Sequence, residues 1–309
     1  MNVPYVGNST YCFTNSLAMC LKHSSDTAIP EVGFIECATL MPFGAMYLDF
    51  ANAPLFFPNP ANTQPDRGLT DAISNLGWTS EIWRGDDPQT ALAHLRDALE
   101  YGPVLLGPLD MGHLSYDPNA QFKHGGDHFI VALQAEGDLI VVHDPQLYPY
   151  ATIPAQDLLW AWNGSHLGYV EQPFTMRFGF RAQRQVTRRE VIEHTLETAR
   201  AFARQEFNGP VVYGGRAAFE RAATAILGEE MRGLKGLLVN FALPVGARRS
   251  LDAAAFVAEV GASDLAESFR TRAERFGRAQ FLATQQDWKA VAGAFEELGV
   301  LEEQLQQLL

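Results

Sequence analysis

Apolar residues recur at three- and four-residue steps from Phe13 through Leu17, Cys20 and Leu21, so Tyr11–Lys22 reads as an amphipathic helix. Cap-competent Asn8, Ser9 and Thr10 precede it, which puts Cys12 at or near the helix start. Ser24–Asp66 is loop-rich and carries Phe43, Tyr47, Phe50, Phe56 and Phe57. Disordered segments lack aromatics, so this stretch is expected to fold and line a pocket. Leu69–Leu76 reads as a short helix stopped by Gly77, and Trp78–Arg84 as a strand. Asp87–Tyr101 is a helix with Asp87 as cap, Pro88 in the first turn and Gly102 beyond its end. Pro103–Leu109 is a buried strand by its short apolar run, and Met111–His124 is irregular. Phe129–Gln134 and Leu139–Val142 pair as strands, Pro145–Ala151 turns, Ala155–Trp162 is helical, and Phe174–Arg181 alternates as a strand.

Beyond about Gln185 the pattern changes. Arg188–Ala203, Ala217–Leu243, Leu251–Val260, Ala262–Ala283, Asp287–Leu298 and Leu301–Leu309 all carry helical spacing. The expected organisation is an α+β domain over residues 1–185 and a helical domain, lid or docking surface, over 186–309.

Composition narrows the function classes. The 309 residues are 47% hydrophobic and 19% charged, enough for a sizeable core. A net charge of −13 without a basic stripe argues against nucleic acid as partner. Three cysteines without C-x-x-C spacing point to a reducing compartment. The start lacks signal-peptide regions and no apolar run approaches the roughly 18 residues of a membrane span. A cytoplasmic protein with no membrane partner is expected.

Turn chemistry brings candidate catalytic groups together. A three-residue loop Ala135–Gly137, with Gly137 in the left-handed position, sets Gln134 against Asp138. Counting back then places His128 opposite Asp144, on one face, with Cβ atoms roughly 5 Å apart. A two-residue loop would shift the register by one and separate them. A thiol nucleophile needs a base, and the base needs a third group to orient it. Cys12, His128 and Asp144 supply those types in the chain order of papain-like folds. A rival metal reading of His124, Asp127, His128, His143 and Asp144 lacks ligand geometry. No metal ligand or cofactor is assigned, and His113 and His143 receive no role. Cys20 and Cys37 read as structural. Gly209–Arg216 lacks the lysine of a phosphate loop and reads as a turn between helices.

Four segments carry a resemblance. They are Tyr11–Met19, Glu36–Tyr47 with its Phe43-Gly44-Ala45-Met46-Tyr47, Gly125–Val131 and Val141–Pro145. Together they resemble the N-terminal domain of the butirosin biosynthesis protein H-like acyltransferases, itself similar to C39-type, papain-like cysteine peptidases. Arg248–Phe256 and Gln286-Asp287-Trp288 are similar to the helical domain often found behind it. The resemblance implies acyl transfer from a carrier-protein or pantetheine thioester, through Cys12, to a small-molecule amine. His128 would serve as base and then acid, and Asp144 as its orienting group. One departure stands out: Val6 occupies the position where such enzymes usually carry an oxyanion glutamine. The backbone N–H of Cys12, with Asn8 or Ser9, is the substitute.

Phe43, Tyr47, Phe50 and Phe56 are the expected substrate-pocket residues. Arg232, Lys235, Arg248 and Arg249 are candidates for docking an acidic carrier protein. The alternatives are a cysteine hydrolase, passing the acyl group to water, and a binding protein with a vestigial triad. The C-terminal helices leave a homodimer open.

Overall fold

Strong strand formers in the middle of the chain build a six-stranded antiparallel sheet in a computed structural model of the protein. The structure describes all residues except 1, 9, 27, 51–52, 165–166, 171, 206, 208, 210 and 229–231, and it leaves the Arg232 side chain undescribed. The strand order is Trp78–Trp83, Met176–Ala182, Val104–Asp110, Asp127–Glu136, Leu139–Asp144, Tyr148–Pro154. Val104–Asp110 is buried along its whole length, as its apolar run requires. The turn expected at Pro145–Ala151 is confined to residues 145–147, and the Tyr148–Pro154 strand follows it. Its exposed residues are Pro149, Tyr150, Thr152 and Pro154, and a strand that carries prolines suits the edge position it takes.

This sheet belongs to a unit formed by Met1–Val32 and Leu76–Gln185. Its core joins Ala91, Leu95, Val104, Leu106, Ile130, Ala132, Ile140, Val142 and Trp162, among others. The helix Cys12–His23 lies against the Asp127–Glu136 strand: Phe13 meets Phe129 edge-on at 5.8 Å, and Ser16 Oγ donates to the Phe129 carbonyl at 3.2 Å. The helix Pro88–Leu99 starts as expected, with the Asp87 carboxylate accepting from the Thr90 N–H at 2.6 Å. That contact closes an unpaired helix-terminal donor.

The second unit is formed by Gly33–Asn75 and Val186–Leu309. The contiguous division at residue 185 therefore differs from the observed one: residues 33–75 belong with the helices. The loop-rich reading of that stretch also changes. It contains the helices Val32–Ala38 and Pro65–Asn75 and the strands Met46–Leu48 and Leu55–Phe57. A third strand, Val212–Gly214, pairs antiparallel with Met46–Leu48, so the Gly209–Arg216 stretch holds a strand rather than only a turn. The long helix expected over Ala217–Leu243 is broken into Gly215–Ile226, Arg232–Leu237 and a π-helical turn Leu238–Ala242 before Leu243–Ala258. The chain completes this unit with Ser263–Thr284 and Trp288–Leu308. The class is α+β, a sheet region followed by a helical C-terminal region. No helix of the described residues is long and apolar enough to cross a membrane.

Candidate active site

The hairpin that carries His128 and Asp144 closes differently from expectation. Glu136 pairs with Leu139, so the loop is the two-residue Gly137-Asp138. Gly137 takes φ +61°, as a tight hairpin needs. Such a loop alone would put His128 and Asp144 on opposite faces. A bulge between Ala132 and Gln134 inserts one residue and restores the face: Val131 pairs with His143 and Ala132 with Val142. Continuing that register sets Asp144 opposite Ile130, with His128 as its diagonal neighbour on the same face. The two side chains meet, His128 Nε2 lying 2.8 Å from Asp144 Oδ1.

Both groups are buried, His128 at 1% and Asp144 at 2% exposure. Burial works against a charged imidazole. The Asp144 carboxylate and a hydrogen bond with the Cys12 side chain outweigh it and push the His128 pKa up to about 10. With Nε2 committed to Asp144, Nδ1 is the nitrogen left for the thiol. Asp144 is in turn held below the usual carboxylate range. Burial opposes this, and the His128 charge, the Gln146 N–H at 2.6 Å and the Tyr116 hydroxyl at 2.8 Å on Oδ2 prevail.

Cys12 is the first residue of its helix and only half-buried. The residue before it, Tyr11, is buried and holds φ 58°, ψ 48°, a left-handed conformation that a bulky side chain rarely adopts. Backbone strain of this kind gathers at functional sites. Asn8 and Thr10 do not take the cap position. Tyr11 takes the N-cap position with no side-chain capping bond, and Asn8 Oδ1 accepts from Asn15 Nδ2 at 2.8 Å and from the Thr10 N–H at 3.2 Å. Asn8 is exposed, and its oxygen is spent on those bonds, which leaves the Nδ2 amide as its donor. Ser9 lies outside the described residues.

Two residues were missed by sequence reasoning. Tyr116 reaches Asp144 from the stretch read as irregular, where no periodicity marks it. Tyr5 Oη donates to the Asp144 carbonyl at 2.9 Å and accepts from the Leu147 N–H at 3.0 Å. His143 is structural: its Nε2 faces the Val3 carbonyl at 3.1 Å, and its Nδ1 accepts from the Tyr150 N–H at 3.0 Å. Cys20 and Cys37 are fully buried, which pushes both thiols up and keeps them inert.

Tyr116→Phe removes one donor from a buried carboxylate. It should cost about 1.5–3 kcal/mol of stability and raise the Asp144 pKa. Asp144 is depressed in the fold, so its stabilisation is lost as pH falls through the folded value. Acid unfolding, followed by circular dichroism, should then begin at higher pH in Tyr116→Phe than in the wild type.

The expected pocket aromatics belong to the second unit. Phe43, Tyr47 and Phe56 are buried in the core of the second unit. Phe43 contacts Phe256 and Phe269, Tyr47 contacts Tyr213, and Phe56 contacts Phe219 and Phe295. Their surfaces are spent on helix packing, which is what large apolar rings do unless something else claims them. Phe50 is 47% exposed. The docking arginines change likewise: Arg248 pairs with Asp252 at 2.9 Å and Arg249 with buried Glu36 at 2.8 Å. Lys235 sits over the Trp288 ring at 5.2 Å. In the sheet unit a cavity of about 560 Å³ is lined by residues including Glu81, Tyr101, Phe178 and Arg181, none of them in the triad.

Residues 39–145 match the family model of butirosin biosynthesis protein H, N-terminal, and residues 209–309 match that of the YobF C-terminal domain. The first match includes His128 and Asp144 and begins after Cys12. The chain is 27% identical over 303 residues to an uncharacterized protein, YobF, of Bacillus subtilis (strain 168), covering 97% of this chain and 95% of that one.

Proposed function

From the likeness of residues 39–145 to butirosin biosynthesis protein H, we propose that this chain is a biosynthetic acyltransferase working through a Cys12 acyl-enzyme. The single observation that carries the reading is the chain of contacts from the Cys12 side chain to His128 and on to Asp144. Nucleophile, base and orienting group then stand in the order acyl transfer needs, in the manner of papain-like enzymes.

The Cys12 sulfur attacks the carbonyl of a carrier-protein or pantetheine thioester and forms a tetrahedral oxyanion. Collapse breaks the bond to the donor sulfur, which leaves with the proton held by His128. An amine then attacks the new thioester, His128 takes its proton, and the Cys12–acyl bond breaks to release an amide. The Cys12 N–H and the Asn8 amide are the donors proposed for the oxyanion, in place of the glutamine that Val6 replaces.

Intact-protein mass spectrometry tests this with a panel of acyl-pantetheine thioesters. Wild type should gain one acyl mass, Cys12→Ala none, and an added small amine should discharge the adduct as its amide. Discharge to water whatever amine is present would make the protein a hydrolase. No adduct from any donor would leave a binding protein.

A further inference from the structure

We propose that Asp110, His113 and His124 form a binding site for one divalent transition-metal ion, zinc by its donor set. These residues share no ligand with the triad, and the proposal stands whether or not Cys12 carries acyl groups.

Local structure brings the three together. Asp110 ends the Val104–Asp110 strand and caps the 3-10 turn Met111–His113. Residues three apart eclipse in such a turn, so Asp110 and His113 lie on one side. The Met111 N–H donates to the Gly126 carbonyl at 2.9 Å and closes the long loop back on itself, returning His124 to the same place. Gly112 allows the close approach, since a Cβ there would fall on the His124 ring. The His113 and His124 rings stand edge to face with centroids 5.0 Å apart. One ligand atom from each residue lies within 4.8 Å of the other two.

The carboxylate is what points to a cation. Asp110 is fully buried. Its Oδ1 accepts from the N–H of Gly112 at 2.8 Å and of Gly125 at 3.1 Å, which fixes the orientation of the group. Its Oδ2 is buried and has no hydrogen-bond partner among the described residues; His124 Nδ1 lies 3.9 Å away. A buried carboxylate oxygen is rarely left without a partner, and an ion between it and two imidazoles supplies one. Backbone N–H groups on the far oxygen are the kind of support that metal-binding carboxylates receive.

Two imidazoles and one carboxylate suit zinc, with the fourth position left to water. Metal–ligand distances of about 2.0–2.1 Å need the donors to close by roughly an ångström or more from their present spacing. The His124 side chain, 53% exposed, is free to make that movement. The ion would fasten the Lys123–Gly126 turn to the strand end directly before His128. Asp110 already pairs with Asp127, one rung from the Leu109–His128 pair.

The test uses full-length Cys12→Ser protein, so that a thiol–imidazole pair cannot capture metal. The protein is stripped with a chelator and titrated calorimetrically with zinc chloride. Zinc per chain is counted after equilibrium dialysis, and cobalt chloride gives the ligand-field spectrum. One ion per chain is expected, with affinity weakened by more than about a hundredfold when His113→Ala and His124→Ala are added. Circular dichroism checks the fold of the double variant. The single variants His113→Gln and His124→Gln serve if it does not fold, each expected to weaken binding. Zinc binding that survives these changes undiminished, or no zinc binding by the Cys12→Ser protein, would overturn the proposal.

Discussion

Replacing His128 by Asn should slow acyl loading of Cys12 by about a thousandfold or more, while Cys12 itself and its helix stay in place. General acid–base groups contribute about 10²–10⁴ in rate, and loss of one member of a triad lies at the upper end. The reason lies in what else this imidazole touches. Nε2 is held by Asp144 at 2.8 Å, and the Cys12 side chain hydrogen-bonds the same ring. Among the described residues, Asp144 and Cys12 are the titratable groups that act on His128. Stopped-flow acylation with an acyl-pantetheine thioester measures the loss. A rate within tenfold of wild type would remove His128 from the mechanism.

The same variant has a pH signature. The His128 pKa is raised from 6.5 to about 10, so its contribution to stability is complete below 6.5 and fades as pH rises toward 10. Asp144 is depressed, so its share is present above its ordinary value of 3.8 and fades below it. These are one interaction seen from its two partners. The stability gap between wild type and His128→Asn, from urea unfolding, should therefore be widest between about pH 4 and 6.5. It should narrow in alkali and in strong acid. A gap that ignores pH would mean that only packing was lost.

Much of the sheet unit was legible because its signals are local. Apolar runs, the Asp87 cap and the glycine at the hairpin each act within a few residues. The meeting of His128 with Asp144 was legible too, though by a route that hid one step. The loop has two residues and a bulge compensates, and a bulge leaves no mark in a run such as Ile-Val-Ala-Leu-Gln where every side chain suits a strand. Tyr116 and Asp110 were not legible: an irregular segment places Tyr116 through loop closures that periodicity cannot encode, and Asp110, at a strand end, meets its neighbours only when that loop folds back.

The fate of Phe43, Tyr47 and Phe56 has a different cause. An aromatic cluster fits a pocket wall and a core equally well, and only long-range partners decide. Here the partners lie far along the chain, at Phe256, Phe269, Tyr213, Phe219 and Phe295. Glu36 belongs to the same lesson. It was part of the stretch that carried the family resemblance, and it is spent on a buried ion pair with Arg249, which also donates to the Pro58 carbonyl at 3.0 Å. Segment 33–75 joins the helical unit through contacts that only a tertiary structure reveals.

A second buried arginine makes the largest stability prediction. Arg272→Met should destabilise the helical unit by about 3–5 kcal/mol, the usual cost of removing one partner of a buried pair. Arg272 is 1% exposed and Glu302, its partner at 2.7 Å, is equally buried. The guanidinium also donates to Ser250 Oγ at 2.9 Å and to the Pro42 carbonyl, so one planar group ties three helices to the 33–75 segment. Burial lowers its pKa, and the Glu302 charge works the other way, which marks how far the pair depends on mutual compensation. Arg272→Met leaves the Glu302 carboxylate uncompensated and the Pro42 carbonyl without its donor. Arg272→Lys should recover little, because one ammonium cannot span the fork of directions that these three acceptors occupy. Arg272→Met combined with Glu302→Leu should regain most of the loss, since replacing both charges by apolar side chains of similar volume is often neutral or stabilising. Urea unfolding followed at 222 nm reads this unit, which holds most of the helix. A double variant no more stable than Arg272→Met alone would show that the ties to Ser250 and Pro42, and not the charge pair, hold the segment in place.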